Sequence, residues 1–260
     1  IGSLSLAPSF SGYCPISLIG KKRISKLTIE ADCNYYSSEF FKVIGNIIRE
    51  LNPEDLTILL NRGKNDGRVL DMLKEINAGD CRIKHLNFHI PLSMIPSNDM
   101  NSIIQKLFEH KKLKTFIFHS LHYPEALEDC LKEETQLEKL HLKFGNIGAE
   151  TISIPSKGLL HALAHLSQLK EFKLLSNVPI EDSTLPNSIT QMKQLKVLHL
   201  DISCPIPPFR IICHTLGSLV KLEDLDFRPE LECEYDLSSL ELAFSDFGKA
   251  LSKLKKLTSL

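Results

Sequence analysis

Ten histidines and seven cysteines are the side chains with which this chain could do chemistry, and their spacing limits which chemistry is open to them. The cysteines are Cys14, Cys33, Cys81, Cys130, Cys204, Cys213 and Cys233, odd in number and never in a Cys-x-x-Cys pair. Neither a zinc cluster nor a redox couple is written in that pattern, and free, mostly buried thiols in a reducing compartment are expected. His161-Ala-Leu-Ala-His165 has the i, i+4 spacing of a helical metal pair. It lacks the Glu that follows the first His of a metalloprotease, and both histidines flank core leucines, so a structural role is expected. No glycine-rich phosphate loop, Gly-x-Ser-x-Gly elbow or Cys/His pairing in a common cavity is present. The expectation is no catalytic residue, no cofactor, no metal and no enzyme.

The elements that position these residues follow from a recurring pattern: apolar, two of any type, Leu or Phe, one of any type, apolar. It is clearest in Leu137-Glu-Lys-Leu140-His-Leu142, Leu195-Lys-Val-Leu198-His-Leu200 and Leu222-Glu-Asp-Leu225-Asp-Phe227. Weaker copies include Leu169-Lys-Glu-Phe172-Lys-Leu174, Leu113-Lys-Thr-Phe116-Ile-Phe118, Ile83-Lys-His-Leu86-Asn-Phe88 and Ile24-Ser-Lys-Leu27-Thr-Ile29. Copies start at residues 1, 24, 53, 83, 113, 137, 169, 195, 222 and 257. The mean interval, about 28 residues, sits near the long end of the range of about 20–29 for repeats of this pattern. Segments with helical spacing intervene: Phe40, Phe41, Ile44, Ile47, Ile48 and Leu51; Ile103, Ile104 and Leu107; Leu159, Leu160, Leu163 and Leu166; Ile211, Ile212, Leu216 and Leu219; Phe244, Phe247, Leu251 and Leu254. Pro124 marks a helix start. One strand plus one helix cannot bury its apolar face alone, so the units must stack.

On these motifs the chain resembles the leucine-rich-repeat family over nearly its whole length, and its long repeats with full helices resemble the ribonuclease-inhibitor-like type. The resemblance implies an α/β solenoid, a horseshoe with a parallel sheet on the concave face and helices on the convex face. It also implies a protein-binding role. The family places Asn or Cys eight residues after the first apolar position, and here only Asn61 and Asn177 fall there, with Asp32 as a substitute. The expected domain organisation is a single array over 1–260 of nine to ten irregular repeats. With no polar cap legible at Ile1 or Leu260, the array is expected to be cut within a repeat at both ends.

Composition narrows the partners. A net charge of −1 argues against nucleic acid or a membrane surface as the main partner of the whole chain, and no apolar run reaches the roughly 18 residues of a membrane helix. A monomer in the cytosol is expected. The segments 146–157, 177–187 and 228–239 exceed what a turn needs. The run Cys204-Pro-Ile-Pro-Pro208 is expected to project as a stiff loop.

If each motif is a strand, its second, fourth and sixth residues after the first apolar one face outward. His85, His89, His119, His141 and His199 then share that face, with Lys139, Lys143 and Lys173 at its centre and Asp201, Asp224 and Asp226 toward its C-terminal end. Neighbouring strands lie about 4.8 Å apart, so His89 and His119 should be adjacent, with His141 one strand on. Ile117, Leu175 and Val197 add apolar contacts. Three histidines on neighbouring strands could ligate Zn²⁺, but no Cys or carboxylate completes the set, and a surface that charges as pH falls toward 6 is the better-supported reading. The expected partner-binding residues are His89, Ile117, His119, Lys139, His141, Lys143, Lys173, Leu175, Val197, His199, Asp201, Asp224 and Asp226.

The leading expectation is a module that grips a partner protein with its concave sheet. Three wider contexts fit: an intracellular immune receptor, a ubiquitin-ligase substrate arm, or an effector that an intracellular bacterium delivers into its host. Irregular repeats and a lysine-rich composition favour the effector. The alternative is a cis-regulatory or ligand-sensing domain of a larger protein. The strand register is testable by substitution. Leu140→Asp should unfold several repeats in a thermal melt, because a charge enters the sealed layer. His141→Asp, facing outward, should change stability by no more than about 0.5 kcal/mol.

Overall fold

Each of the first nine motif copies becomes a short strand, because only an extended backbone sends its alternating apolar residues to one side. The computed structural model describes residues 3–6, 24–32, 36–61, 67–78, 82–90, 97–109, 113–121, 123–145, 157–179, 184–203, 206–230 and 237–260. The chain divides into two compact units, Ile1–Cys130 and Leu131–Leu260. Unit 1 runs β1 (Ser3–Leu6), β2 (Lys26–Asp32), α1 (Ser38–Leu51), β3 (Asp55–Asn61), α2 (Arg68–Asn77), β4 (His85–Ile90), α3 (Ser97–Phe108) and β5 (Thr115–Ser120), with α4 (Ala126–Glu133) straddling the boundary. Unit 2 runs β6 (Lys139–Phe144), α5 (Lys157–Leu163), β7 (Glu171–Pro179), α6 (Thr184–Gln191), β8 (Val197–Ser203), α7 (Ile206–Leu216), β9 (Asp224–Glu230) and α8 (Leu237–Leu251). Each strand pairs in parallel with the next in sequence, β1 through β5 in unit 1 and β6 through β9 in unit 2, and helices seal one face. Both units are α/β solenoids of stacked strand–helix repeats.

Register is set at the entrance of β3, β4, β5, β7, β8 and β9 by a shared acceptor. The carbonyl of Glu54 accepts from both Lys84 N and His85 N, at 2.9 and 3.1 Å. The same fork recurs in unit 2, where Glu138 O takes Lys170 N and Glu171 N at 2.7 and 3.1 Å, and Lys170 O takes Lys196 N and Val197 N at 2.8 and 3.1 Å. Backbone polar groups must be paired when buried, and one carbonyl with two lone pairs satisfies two of them at once. Strands therefore start level, and motif residues align in rows: Leu27, Leu56, Leu86 and Phe116 in unit 1, and Leu140, Phe172, Leu198 and Leu225 in unit 2. All eight are buried.

Helix ends are tied to the next repeat. Ser37 caps α1 by accepting from Phe40 N, and Asn52 ends it in the left-handed region at φ 44°. Asn52 Oδ1 then accepts from Arg82 N at 2.8 Å, joining the end of α1 to the approach to β4. Leu159, Leu160, Leu163 and Leu166 are buried as the helical spacing implies, as are Ile103, Ile104 and Leu107.

Several expectations are corrected. The proline run does not form a loop throughout: α7 begins at Ile206, so Pro207 and Pro208 occupy its first turn, where a helix needs no N–H donor. Pro186 sits likewise in the first turn of α6. Much of 177–187 and 228–239 is strand or helix, and of these segments only 180–183 and 231–236, together with 146–156, lie outside the described residues. Cys14, Cys33, Cys81, Cys204 and Cys233 also lie outside them; Cys213 is buried and Cys130 half-buried. His161 and His165 are both exposed, and α5 ends at Leu163, so no single helix presents them as a pair. In α8, Phe247 packs on Phe209 and Phe227 and Leu254 beyond the helix is buried as expected, but Ala243, Asp246 and Ala250 also turn inward and Phe244 is left 55% exposed. The cause is polar: Arg210 Nε of α7 donates to Asp246 Oδ2 at 2.9 Å, and this bond, ahead of the cost of burial, holds the Asp246 carboxyl below its usual range. Small Ala243 and Ala250 let that face turn inward. Ile211 on α7 is likewise 40% exposed.

Helices α1 and α2 approach closely at Gly45. A Cβ there would stand 2.5 Å from the Met72 carbonyl oxygen and 2.7 Å from Glu75 Cβ, and backbone cannot yield as a flexible side chain can. Gly45→Ala should therefore lower stability by about 1–3 kcal/mol in chemical denaturation, despite alanine's better helix propensity.

Candidate functional site

Alternation along the strands decides which side chains leave the sealed layer. With Leu27, Ile29, Leu56, Ile58, Leu86, Phe88, Phe116 and Phe118 buried, their neighbours turn to the open face of the sheet in unit 1. Parallel register sorts these into three rows: Lys26–Asp55–His85–Thr115, Thr28–Thr57–Asn87–Ile117, and Glu30–Leu59–His89–His119. Lys26 Nζ stands 3.8 Å from Asp55 Oδ2, and His85 Nδ1 lies 2.9 Å from Thr115 Oγ1. His89 and His119 meet edge to face, with ring centroids 5.2 Å apart, as their alignment required. Ile117 is half-buried in the central row.

Unit 2 has the same three rows with a different chemistry: Lys139–Glu171–Val197–Asp224, His141–Lys173–His199–Asp226, and Lys143–Leu175–Asp201–Arg228. Lysines stand on β6 and β7 and aspartates on β8 and β9, with Glu171 on β7 and Arg228 on β9 as the opposite charges. Sequence reasoning left Glu171 out of the candidate set, yet it is the hub of the cationic end. Its Oε2 lies 3.0 Å from Lys139 Nζ, and its Oε1 lies 2.7 Å from His141 Nε2 and 3.6 Å from Lys173 Nζ. Burial pushes the Glu171 carboxyl up, but hydrogen bonds from Lys139 and His141 outweigh this and hold it below its usual value. The second omission is Arg228, whose guanidinium clasps Asp226 with two 2.8 Å bonds. His199 Nε2 lies 3.1 Å from Asp224 Oδ2. The signal for both omissions was present in the alignment of the copies, since each pair sits side by side or on one strand.

His141 behaves differently from a surface histidine. Its side chain is 14% exposed. Burial pushes its pKa down to about 4, against the pull of Glu171 and with help from the positive charges of Lys139 and Lys173. The imidazole is therefore neutral at pH 6 and does not contribute to a surface that charges there. Because a carboxylate only accepts, the proton resides on Nε2, donated to Glu171, and Nδ1 is left as an acceptor. This also revises the outward substitution: Asp at position 141 would face Glu171, so His141→Asp is not neutral, and Lys143, exposed on the same strand, is the proper outward control.

Among the described residues, no group of three His, Cys, Asp or Glu is placed to hold a metal ion. No helix among them is long and apolar enough to cross a membrane.

No protein-family model and no curated protein matches this sequence. Among solved structures, the chain is similar to an internalin from Listeria monocytogenes, with 13% identity and a TM-score of 0.41, covering 91% of this chain and 72% of that one. It is also similar to a leucine-rich-repeat protein of Leptospira interrogans, with 15% identity and a TM-score of 0.44, covering 91% of this chain and 60% of that one. At such scores the fold of this chain rests on its own motifs and strand pairing.

Linkage gives the His141 site a pH signature. In the unfolded chain a histidine protonates near 6.5, whereas the folded site resists until about pH 4. Between those values the unfolded state binds the extra proton, so stability falls as pH falls, by on the order of 3 kcal/mol across the window. Glu171, held low, adds loss in the same direction further down. Denaturant unfolding of wild type and His141→Gln from pH 7 to 4 should show that decline reduced in the variant. An NMR titration should show the His141 ring still neutral at pH 5.5.

Proposed function

We propose that the chain is a protein-recognition module that binds a partner protein through the open faces of its sheets. The observation that carries this is the face of unit 2. There Leu175 and Val197, half-buried and apolar, lie between a cationic end built from Lys139, Lys143 and Lys173 and an anionic end built from Asp201, Asp224 and Asp226. Apolar anchors flanked by separated charge suit a protein surface, where burial supplies affinity and charge supplies orientation. Nucleic acid would meet four carboxylates on the same face, Glu171, Asp201, Asp224 and Asp226, and a membrane would find no continuous basic or apolar stripe. His89, Ile117 and His119 form a second patch, in unit 1.

The module is not an enzyme, and it acts as a monomeric, ribonuclease-inhibitor-like array of nine to ten repeats. An intracellular location is part of this reading, supported by an odd number of cysteines with no Cys-x-x-Cys pair, and its irregular, lysine-rich repeats suit an effector acting in a host cytosol. The spacing from 23 to 35 residues supports repeats that carry full helices.

Affinity capture from cell lysate with wild type and with Leu175→Arg/Val197→Arg tests this reading. Both positions face outward, so the variant should keep its circular dichroism spectrum and melt within a few degrees of wild type. A partner held by wild type and lost by the variant is the expected result. A partner retained equally by both would move binding off this face and overturn the proposal as stated.

A further inference from the structure

The charges on the face of unit 2 are not equally available. Lys139, His141 and Lys173 converge on Glu171, Asp226 is clasped by Arg228, and Asp224 is engaged by His199. A partner that used those groups would have to displace an existing bond. The third row differs. Lys143 on β6 and Asp201 on β8 are both exposed, and among the described residues neither side chain makes a hydrogen bond or ion pair. Arg228, in register beside Asp201, is drawn away to Asp226. Between the two free charges, in register with both, stands Leu175.

Resting on the reading that this face binds protein, we infer that the row Lys143–Leu175–Asp201 recognises an α-helical segment with a carboxylate at position i, an apolar side chain at i+3 or i+4, and Lys or Arg at i+7. The spacing selects the helix. Two strand steps of about 4.8 Å put Lys143 and Asp201 about 10 Å apart, with Leu175 midway. On a helix, residues i and i+7 share a face and lie about 10.5 Å apart, with i+3 and i+4 between them. An extended segment presents i, i+2 and i+4 on one face over about 13 Å, which overshoots the row. Charge fixes direction: the acidic end lies over β6 and the basic end over β8. Exposed pairs of this kind contribute little to affinity but choose the register and reject the reversed sequence, which would set like charges together.

A selection experiment tests this on the 260-residue chain. A displayed library of 15-residue helical peptides, with Glu, Lys, Leu and Ala randomised over one face, is selected on wild type and, separately, on Lys143→Asp/Asp201→Lys. Both substitutions are at exposed positions, and an unchanged circular dichroism spectrum confirms folding. Wild type should enrich acid–apolar–base over base–apolar–acid by about tenfold, the factor set by about 1.4 kcal/mol of discrimination. The swapped variant should reverse the preference. Fluorescence anisotropy of one enriched peptide and its charge-reversed twin gives the same ratio in solution. Enrichment with no charge order, the same order on both proteins, or no enrichment at all would each overturn the inference. Should Leu175→Arg/Val197→Arg still abolish capture of a lysate partner in that event, the recognition reading survives and only the helix-reading row fails.

Discussion

The levelling of the strands is the constraint on which the two units depend. At the entrances of β3, β4, β5, β7, β8 and β9 a single carbonyl, such as Glu54 O or Lys170 O, accepts both N–H groups that lead into the strand. Loop lengths between copies vary widely, yet the fork resets the start of each strand it precedes. A slip of one residue would send Leu140 or Leu198 to the open face and a charged neighbour into the sealed layer, a cost no loop could offset. The rows of inward leucines and phenylalanines and the rows of outward polar groups are two consequences of that one backbone arrangement.

On the sealed side, the repeats are packed by shape as much as by apolar content. Gly45 allows α1 to approach the backbone of α2, and Ala243 and Ala250 give α8 a flat side toward α7. A buried carboxylate then decides the rotation of α8. Asp246 turns inward to reach Arg210, and Phe244 is carried outward although its type would favour the interior. Asp246 gains a charge-assisted bond in this rotation, and Phe244, though largely exposed, keeps an edge against Phe209 with ring centroids 6.0 Å apart.

On the open side, electrostatics is largely internal. Glu171 gathers three basic or polar neighbours, and Arg228 satisfies Asp226, so a face that looks densely charged in sequence has few charges left for others. His141 illustrates the coupling. Its position beside two lysines and under partial burial keeps it neutral, so it serves as a hydrogen-bond donor to Glu171 and adds no third positive charge.

Period-two alternation within a roughly 28-residue repeat was enough to specify strands, their parallel order and the inward or outward direction of every motif residue, since a strand has only two faces. That is why Leu140 is buried, Lys143 exposed and His89 beside His119, as the pattern implied. Helix α2, whose core face is Val69, Met72, Leu73 and Ile76, has the same helical spacing and follows Gly67 in place of a side-chain cap. Pro207 and Pro208 misled because proline breaks a helix interior but is neutral in its first turn. The sequence by itself therefore determined the repeat, the sealed layer and the composition of the open face. Only the tertiary structure decided how α8 rotates, which charges are already paired and that His141 is neutral, because those depend on distances between side chains some 25–36 residues apart in the chain.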